Sequence, residues 1–278
     1  MTDYLDTEFD LNNNEFVSCL DELSFWSAPF GIKLLDAVPL QNVFHVLDIG
    51  CGTGFPLLEL AMRLGPKSQL TGIDPWKAGL ARTRERIARY GITNISLIEG
   101  VAENMPLPDN HFDLIISNNG INNVQNLDLT FAECSRVAKK GCEFIWTMNT
   151  SASFKIFYET YSSLAIERNL KSVRENIDQH IYLKRRPVAE MKTMLMAAGF
   201  DINSVEESSF SYRFASGSAM FRHAFINVAF LDSWKKLVPS DRMNEIFTEL
   251  EKRLNEISER NGELRMEIPF VIFKCIKA

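Results

Sequence analysis

The sequence predicts an α/β protein built on a doubly wound, mostly parallel sheet. Two observations carry that reading. Between residues 43 and 150, short apolar runs bounded by turn residues alternate with helical stretches, the pattern of βαβ units. A glycine-rich turn, Gly50 to Gly54, follows the first run and opens a helix. Right-handed crossovers then wind the sheet both ways from the first strand. The ligand site is expected at the carboxyl ends of the strands, beside that first strand.

Residues 1–14 are polar and acidic and end in three asparagines, the composition of a loose leader. Residues 15–38 read as helical, interrupted at Ser27-Ala28-Pro29, where proline suits a helix's first turn. Phe25, Trp26 and Phe30 near that break either line the ligand site or pack on the sheet. Strands are expected at 44–49, 69–73, 95–98, 114–117 and 143–148, each short enough and apolar enough for a sheet buried on both faces. Helices at 77–90 and 128–138 each precede a glycine, Gly91 and Gly141, placed as helix C-caps.

After residue 150 the pattern changes. Helices are expected at 154–169, 173–182 and 188–198, then a partly alternating strand at 202–214. Residues 215–237 read as one long aromatic helix, apolar over more than one stripe and therefore buried. It suits a lid, a dimer face or a substrate contact. An amphipathic helix at 242–261 and a final strand at 264–276 complete the chain.

Val46-Leu47-Asp48-Ile49-Gly50-Cys51-Gly52-Thr53-Gly54 carries the chemistry. A dinucleotide fingerprint wants a third glycine where Phe55 stands. Asp48 would repel a pyrophosphate but attract an ammonium. This motif resembles the first motif of class I S-adenosylmethionine (SAM) methyltransferases. Three further segments follow in that family's order. The strand ending at Asp74 lies about 20 residues beyond the glycine turn, the spacing of a ribose-binding acid. Ile95 to Leu107 looks like the third strand and its adenine-contacting turn, and Phe112 to Asn119 like the strand beside the transferred methyl.

The resemblance implies a Rossmann-like, seven-stranded sheet with an antiparallel last strand and an added helical cap. It divides the chain into an N-terminal helical segment (1–42), a SAM-binding core (43–150) and a C-terminal part (151–278) with cap insertions near 151–187 and 215–263. It places SAM against Asp48, Gly50, Cys51, Gly52, Gly54, Asp74, Pro75, Ala102, Glu103 and Asn118. One departure is Val101, where many members carry an acid for the adenine amino group; the Ala102 backbone and Glu103 are the nearest substitutes. The run Ser117-Asn118-Asn119-Gly120-Ile121-Asn122 resembles that of the quinone C-methylating (methyltransferase type 11) and arsenite-methylating groups, though the cysteine set that the latter uses is not found here.

Methyl transfer from a sulfonium is an in-line displacement, so the protein mainly orients the partners, and no triad is expected. The catalytic candidates are His223, in the aromatic helix, Asn119 and Tyr212; Arg213 is placed to bind a carboxylate or pair with a glutamate. His45 and His111 read as non-catalytic and His180 as exposed. Lys184-Arg185-Arg186 reads as a solvated helix end.

The net charge of −6 argues against nucleic acid. Five scattered cysteines with no C-x-x-C spacing argue against zinc and for a reducing cytoplasm. No apolar run spans a bilayer. The expectation is SAM-dependent methylation of a small, apolar or aromatic molecule by a soluble cytoplasmic enzyme, with homodimer formation open. The alternatives are a non-catalytic SAM-binding regulator, or methylation of a protein or RNA.

Overall fold

The computed structural model describes residues 2–22, 25–41 and 44–278. The expected segment boundary at 42–43, and positions 23–24 of the first helical stretch, lie outside the described residues. Seven strands form one sheet: β1 His45–Ile49, β2 Gln69–Asp74, β3 Ile95–Glu99, β4 Phe112–Asn118, β5 Ala138–Asn149, β6 Phe200–Phe214 and β7 Leu264–Lys277. Their order is β3-β2-β1-β4-β5-β7-β6. β1 pairs in parallel with β2 and with β4, and β5 extends the parallel series. β7 runs antiparallel to β5. The order reverses between β1 and β4, which is where an open α/β sheet binds ligands.

The helices are α1 Asn14–Glu22, α2 Ser27–Ala37, α3 Leu57–Leu64, α4 Lys77–Tyr90, α5 Leu127–Val137, α6 Lys155–Glu167, α7 Lys171–Lys184, α8 Val188–Ala197, α9 Gly217–Phe221, α10 Ala224–Ile226, α11 Asp232–Lys235 and α12 Met243–Asn261. The chain forms two compact units. A sheet unit comprises residues 11–149, 187–208 and 270–278; a helical unit comprises 1–10, 150–186 and 209–269.

The sheet unit is held by a core in which Leu47, Ile115, Phe144, Trp146 and Phe273 are fully buried. Trp146 stacks on Phe273 with ring centres 4.6 Å apart. Phe30 of α2 is buried against Phe270 at 4.7 Å, whereas Phe25 is exposed. In the helical unit, Phe157 stacks on Trp234 at 4.0 Å, and Tyr161 and Phe221 each meet Phe247 of α12 at 5.9 Å.

Five expectations need correction. Gly91 does cap α4 in the left-handed region, but Gly141 caps no helix. α5 ends at Val137 and the chain passes directly into β5 at Ala138. There the register slips, with Phe112 opposite Ala138 but Leu114 opposite Glu143. Gly141, at φ 79°, absorbs the extra residues in a bulge, a conformation that a Cβ strains. The leader is not loose: Asp3–Asp6 forms a 3₁₀ turn whose Tyr4 is buried, stacked on Phe221 at 4.9 Å.

The long aromatic helix is broken. α9 stops before Arg222, and α10 and α11 are joined by a π-helical turn at Asn227–Leu231. The Asn227 carboxamide donates to the carbonyls of Phe221 (2.7 Å) and His223 (3.0 Å), satisfying groups that the break releases. His180 is half-buried beside Tyr158, and Arg185 is buried; neither is a solvated helix residue.

Trp146→Ala removes a fully buried indole from the sheet core. It should lower stability by about 3–5 kcal/mol, read as a shift in the urea midpoint by far-UV circular dichroism.

Candidate functional site

β1 is central, so the side chain of Asp48 points into the sheet's packing rather than to water. It is 0% exposed, and among the described residues neither carboxylate oxygen has a hydrogen-bond partner. Burial, and then the charge of Asp74, pushes its pKa up to about 8. Directly after it the chain turns. A Cβ on Gly50 would lie 2.7 Å from the Cα of Gly120, so the ends of β1 and β4 meet backbone to backbone. Gly52 is different: its φ is 50°, and a Cβ there would meet nothing within 4 Å. Open space beside a bare backbone is what a closely approaching ligand requires.

Asp74 ends β2 and is 9% exposed. Its Oδ2 accepts from the N–H of Gly52 at 2.8 Å and its Oδ1 from the N–H of Trp76 at 2.7 Å. Burial raises its pKa, while these two bonds pull the other way. Each oxygen keeps a second lone pair for a hydroxyl donor. Pro75 is exposed beside it. Cys51 is buried, and burial followed by the charges of Asp48 and Asp74 holds its thiol well above the usual range.

Apart from Ser117, the residues that brace the turn were not singled out by the sequence. Thr83 Oγ1 of α4 donates to the carbonyls of Gly52 (2.9 Å) and Gly79 (3.1 Å). Arg86 Nη1 donates to the carbonyl of Thr53 at 3.0 Å and pairs with Asp21 of α1 at 3.0 Å. Arg82 reaches the same aspartate at 3.1 Å. The spacing of Arg82 and Arg86, one helical turn apart, was the available signal. Ser117 Oγ donates to the carbonyl of Ile49 at 2.7 Å and accepts from Ile121 N–H at 3.2 Å, tying β4 to β1.

The turn after β3 is less open. Val101 is exposed and Ala102 buried. Glu103 does not present a free carboxylate, because its Oε1 accepts from the N–H groups of Gln125 (2.6 Å) and Asn126 (3.1 Å). Asn118 is likewise engaged at both ends of its amide. Its Nδ2 donates to the carbonyl of Ser27 at 3.0 Å, and its Oδ1 accepts from Thr147 Oγ1 at 3.2 Å.

Asn119 is the exception. It sits just past β4 at φ 62° and is 8% exposed. Its Oδ1 accepts from Asn122 Nδ2 (2.5 Å) and from the backbone N–H of Asn149 (3.3 Å). A backbone donor fixes which amide atom faces it, so Nδ2 points the other way, buried and without an acceptor.

His223 and Tyr212 belong to the helical unit. His223 N-caps α10, lies 5.6 Å from the ring of Phe214, and has its pKa lowered by burial. Tyr212 stacks on Phe214 and Phe225, and burial raises its hydroxyl. Arg213 pairs with Glu263. Among the described residues, no group of three His, Cys, Asp or Glu side chains is arranged to hold a metal ion, and no helix is long and apolar enough to cross a membrane.

Residues 41–205 match the family model described as a methyltransferase domain, and the chain belongs to that family. It is 30% identical over 166 residues to the ubiquinone/menaquinone biosynthesis C-methyltransferase UbiE of Pseudomonas fluorescens, covering 56% of this chain and 65% of that protein. It is 34% identical over 122 residues to the demethylmenaquinone methyltransferase of Shouchella clausii, covering 44% and 52%. The chain thus spans less than two thirds of the length of these curated relatives. A SAM-dependent methyltransferase structure from Aquifex aeolicus shares the fold, with a TM-score of 0.51 and 20% identity over 71% of this chain and 92% of that one.

The buried acid should be visible in the pH dependence of folding. The pKa of Asp48 lies near 8 in the folded chain, against about 3.9 when unfolded. Between those values the folded state keeps a proton that the unfolded state releases. The Asp48 contribution is therefore complete below about pH 4 and is lost as pH rises towards 8. Urea midpoints measured across that range should fall with pH, and Asp48→Asn should flatten the slope.

Proposed function

We propose that this chain is a SAM-dependent methyltransferase acting on a small-molecule acceptor. The observation that carries the reading is Asp48, a fully buried carboxylate with both oxygens unpartnered, one strand-end away from the open backbone of Gly52. Such a group calls for a cationic partner, and an ammonium supplies it. The residues present fit SAM in three respects: the orphaned acid, the uncrowded glycine, and the spare lone pairs of Asp74.

Asp48 would hold the methionyl ammonium, which returns it to the carboxylate form. Gly50, Cys51, Gly52 and Gly54 would pass beneath the cofactor. Asp74 would accept from the ribose hydroxyls while its own N–H partners keep it oriented. Ala102 would offer its backbone to the adenine, with Val101 contributing apolar cover only. Glu103 and Asn118 would act one step removed, Glu103 by fixing the loop before α5 and Asn118 by tying α2 to β4 and β5. Bound there, SAM supplies a methyl group already activated by a positive sulfur. The chain's own task is then orientation and exclusion of water, for which a braced, buried site is suited.

The acceptor side is read from Asn119. Its Nδ2 is a donor held in one direction, fit to bind an acceptor's oxygen. The named activities of the relatives favour a quinone-type ring as that acceptor.

Calorimetry should show SAM and S-adenosylhomocysteine binding and no binding of NAD. Asp48→Asn should weaken SAM by about thirtyfold or more, as loss of one partner of a buried charge pair requires. Gly52→Val should abolish binding while circular dichroism shows the fold kept. SAM binding that survives both changes overturns the placement.

With a reduced, demethylated naphthoquinone as the test acceptor, methyl transfer should be detected by mass. Asn119→Ala should lower kcat/KM for it about tenfold, the loss of one hydrogen bond, with the SAM Kd unchanged. A matching loss in SAM affinity would assign Asn119 to the cofactor instead.

A further inference from the structure

Arg185 ends α7 and is 4% exposed. Its guanidinium stands 5.3 Å from the centre of the Tyr158 ring, and Nη1 donates to the Tyr158 hydroxyl at 3.3 Å. Its Nε is buried with no acceptor, and among the described residues no carboxylate pairs with it. A guanidinium does not lose its proton inside a protein. Burying one without a counter-charge is strongly unfavourable, and a single aromatic face offsets only part of that.

The surroundings deepen the deficit. The Tyr158 oxygen also accepts from Trp234 Nε1 at 3.0 Å. Two donors occupy its lone pairs, so its own proton points away from both and needs an acceptor. His180, whose ring lies 6.0 Å from that of Tyr158, has its pKa pushed down to about 4 by burial and then by Arg185 and Lys184. It is uncharged at neutral pH and adds no negative charge. Side chains of α6, α7 and α11 thus present N–H and O–H donors around Arg185, with no anion among them.

We propose that Arg185 and Tyr158 form a binding site for an oxyanion, a carboxylate or phosphate carried by a small molecule. The planar fork of arginine matches two oxygens of either group, and the Tyr158 O–H adds a further donor. The site lies wholly within the helical unit and does not rest on the methyl-transfer reading.

The test is a titration of the full chain with inorganic phosphate and, separately, with acetate, ionic strength being balanced with chloride. Calorimetry reports binding. The NMR signal of the Arg185 Nε–H, assigned by its disappearance in Arg185→Lys and Arg185→Met, reports its place. Arg185→Met should fold, because an apolar chain of similar length replaces an unpaired buried charge. Saturable phosphate binding that moves the Nε–H signal, and weakens about tenfold or more in Arg185→Lys, supports the site with phosphate as its ligand class. The same behaviour with acetate alone supports a carboxylate, and with both, either source. No saturable movement of the Nε–H signal with either anion, or binding retained in both variants, overturns the proposal. The signal is read in the unaltered chain, so the test remains decisive even if Arg185→Met does not fold.

Discussion

The site depends on one costly placement, a carboxylate at the end of the central strand with no donor to receive it. Asp48 pairs in register with Gly72 on β2 and with Ile116 on β4. Its side chain, on a face of the sheet, is fully buried. Any residue there is buried, so the choice of an acid has to be explained by something other than packing. The turn that follows is built so that its own atoms do not fill the gap. Gly50 is pressed against Gly120, and the N–H of Gly52 is taken by Asp74 rather than turned towards Asp48. The Gly52 N–H, on the open backbone of the turn, is thus committed to Asp74.

That arrangement needs rigidity, and the bracing supplies it. Three sources converge on the glycine turn: Thr83 and Arg86 from α4, Asp21 from α1 through that arginine, and Ser117 from β4. Each bond contributes about 0.5–1.5 kcal/mol at most to stability. Their greater effect is on geometry, because a turn free to collapse would let a backbone N–H reach Asp48. The asparagines after β4 show the same division. Asn118 spends both ends of its amide on structure, while Asn119 spends one end and leaves the other directed. For the proposed methyl transfer, whose electrophile is already activated, directed and undirected groups would differ more than acids and bases do.

The parallel strands were legible in the sequence because each is a short apolar run closed by a turn, and burial on both faces writes itself as hydrophobicity. The acids and glycines of the site were legible because their spacing is local. What failed had non-local causes. Gly141 resembles a helix cap in sequence, and only the register between β4 and β5 makes it a bulge. The aromatic segment 215–237 has the composition of one helix, but Asn227 reaching back to the carbonyls of Phe221 and His223 makes a break tolerable. Tyr4 lies in an acidic leader and is buried by a residue more than two hundred positions away. Glu103 looked free because Gln125 and Asn126, which occupy it, follow a whole strand later. Arg185 sits in a basic triplet whose composition signals solvent, and no periodicity marks it as buried.

The two buried charges without partners are not equivalent, and the difference bears on what each implies. A carboxylate in an apolar setting can take up a proton, and Asp48, with its pKa near 8, does so at neutral pH. Its isolation is then only that of a polar group lacking hydrogen bonds, and a cationic ligand draws the proton off again. Arg185 has no such escape, because a guanidinium does not lose its proton inside a protein. Among the described residues, the π face of Tyr158 and its hydroxyl are the side-chain groups that meet it. A buried guanidinium without a counter-charge is a standing loss of stability. Protonation relieves the unpartnered acid, whereas nothing among the described residues supplies Arg185 with a counter-charge.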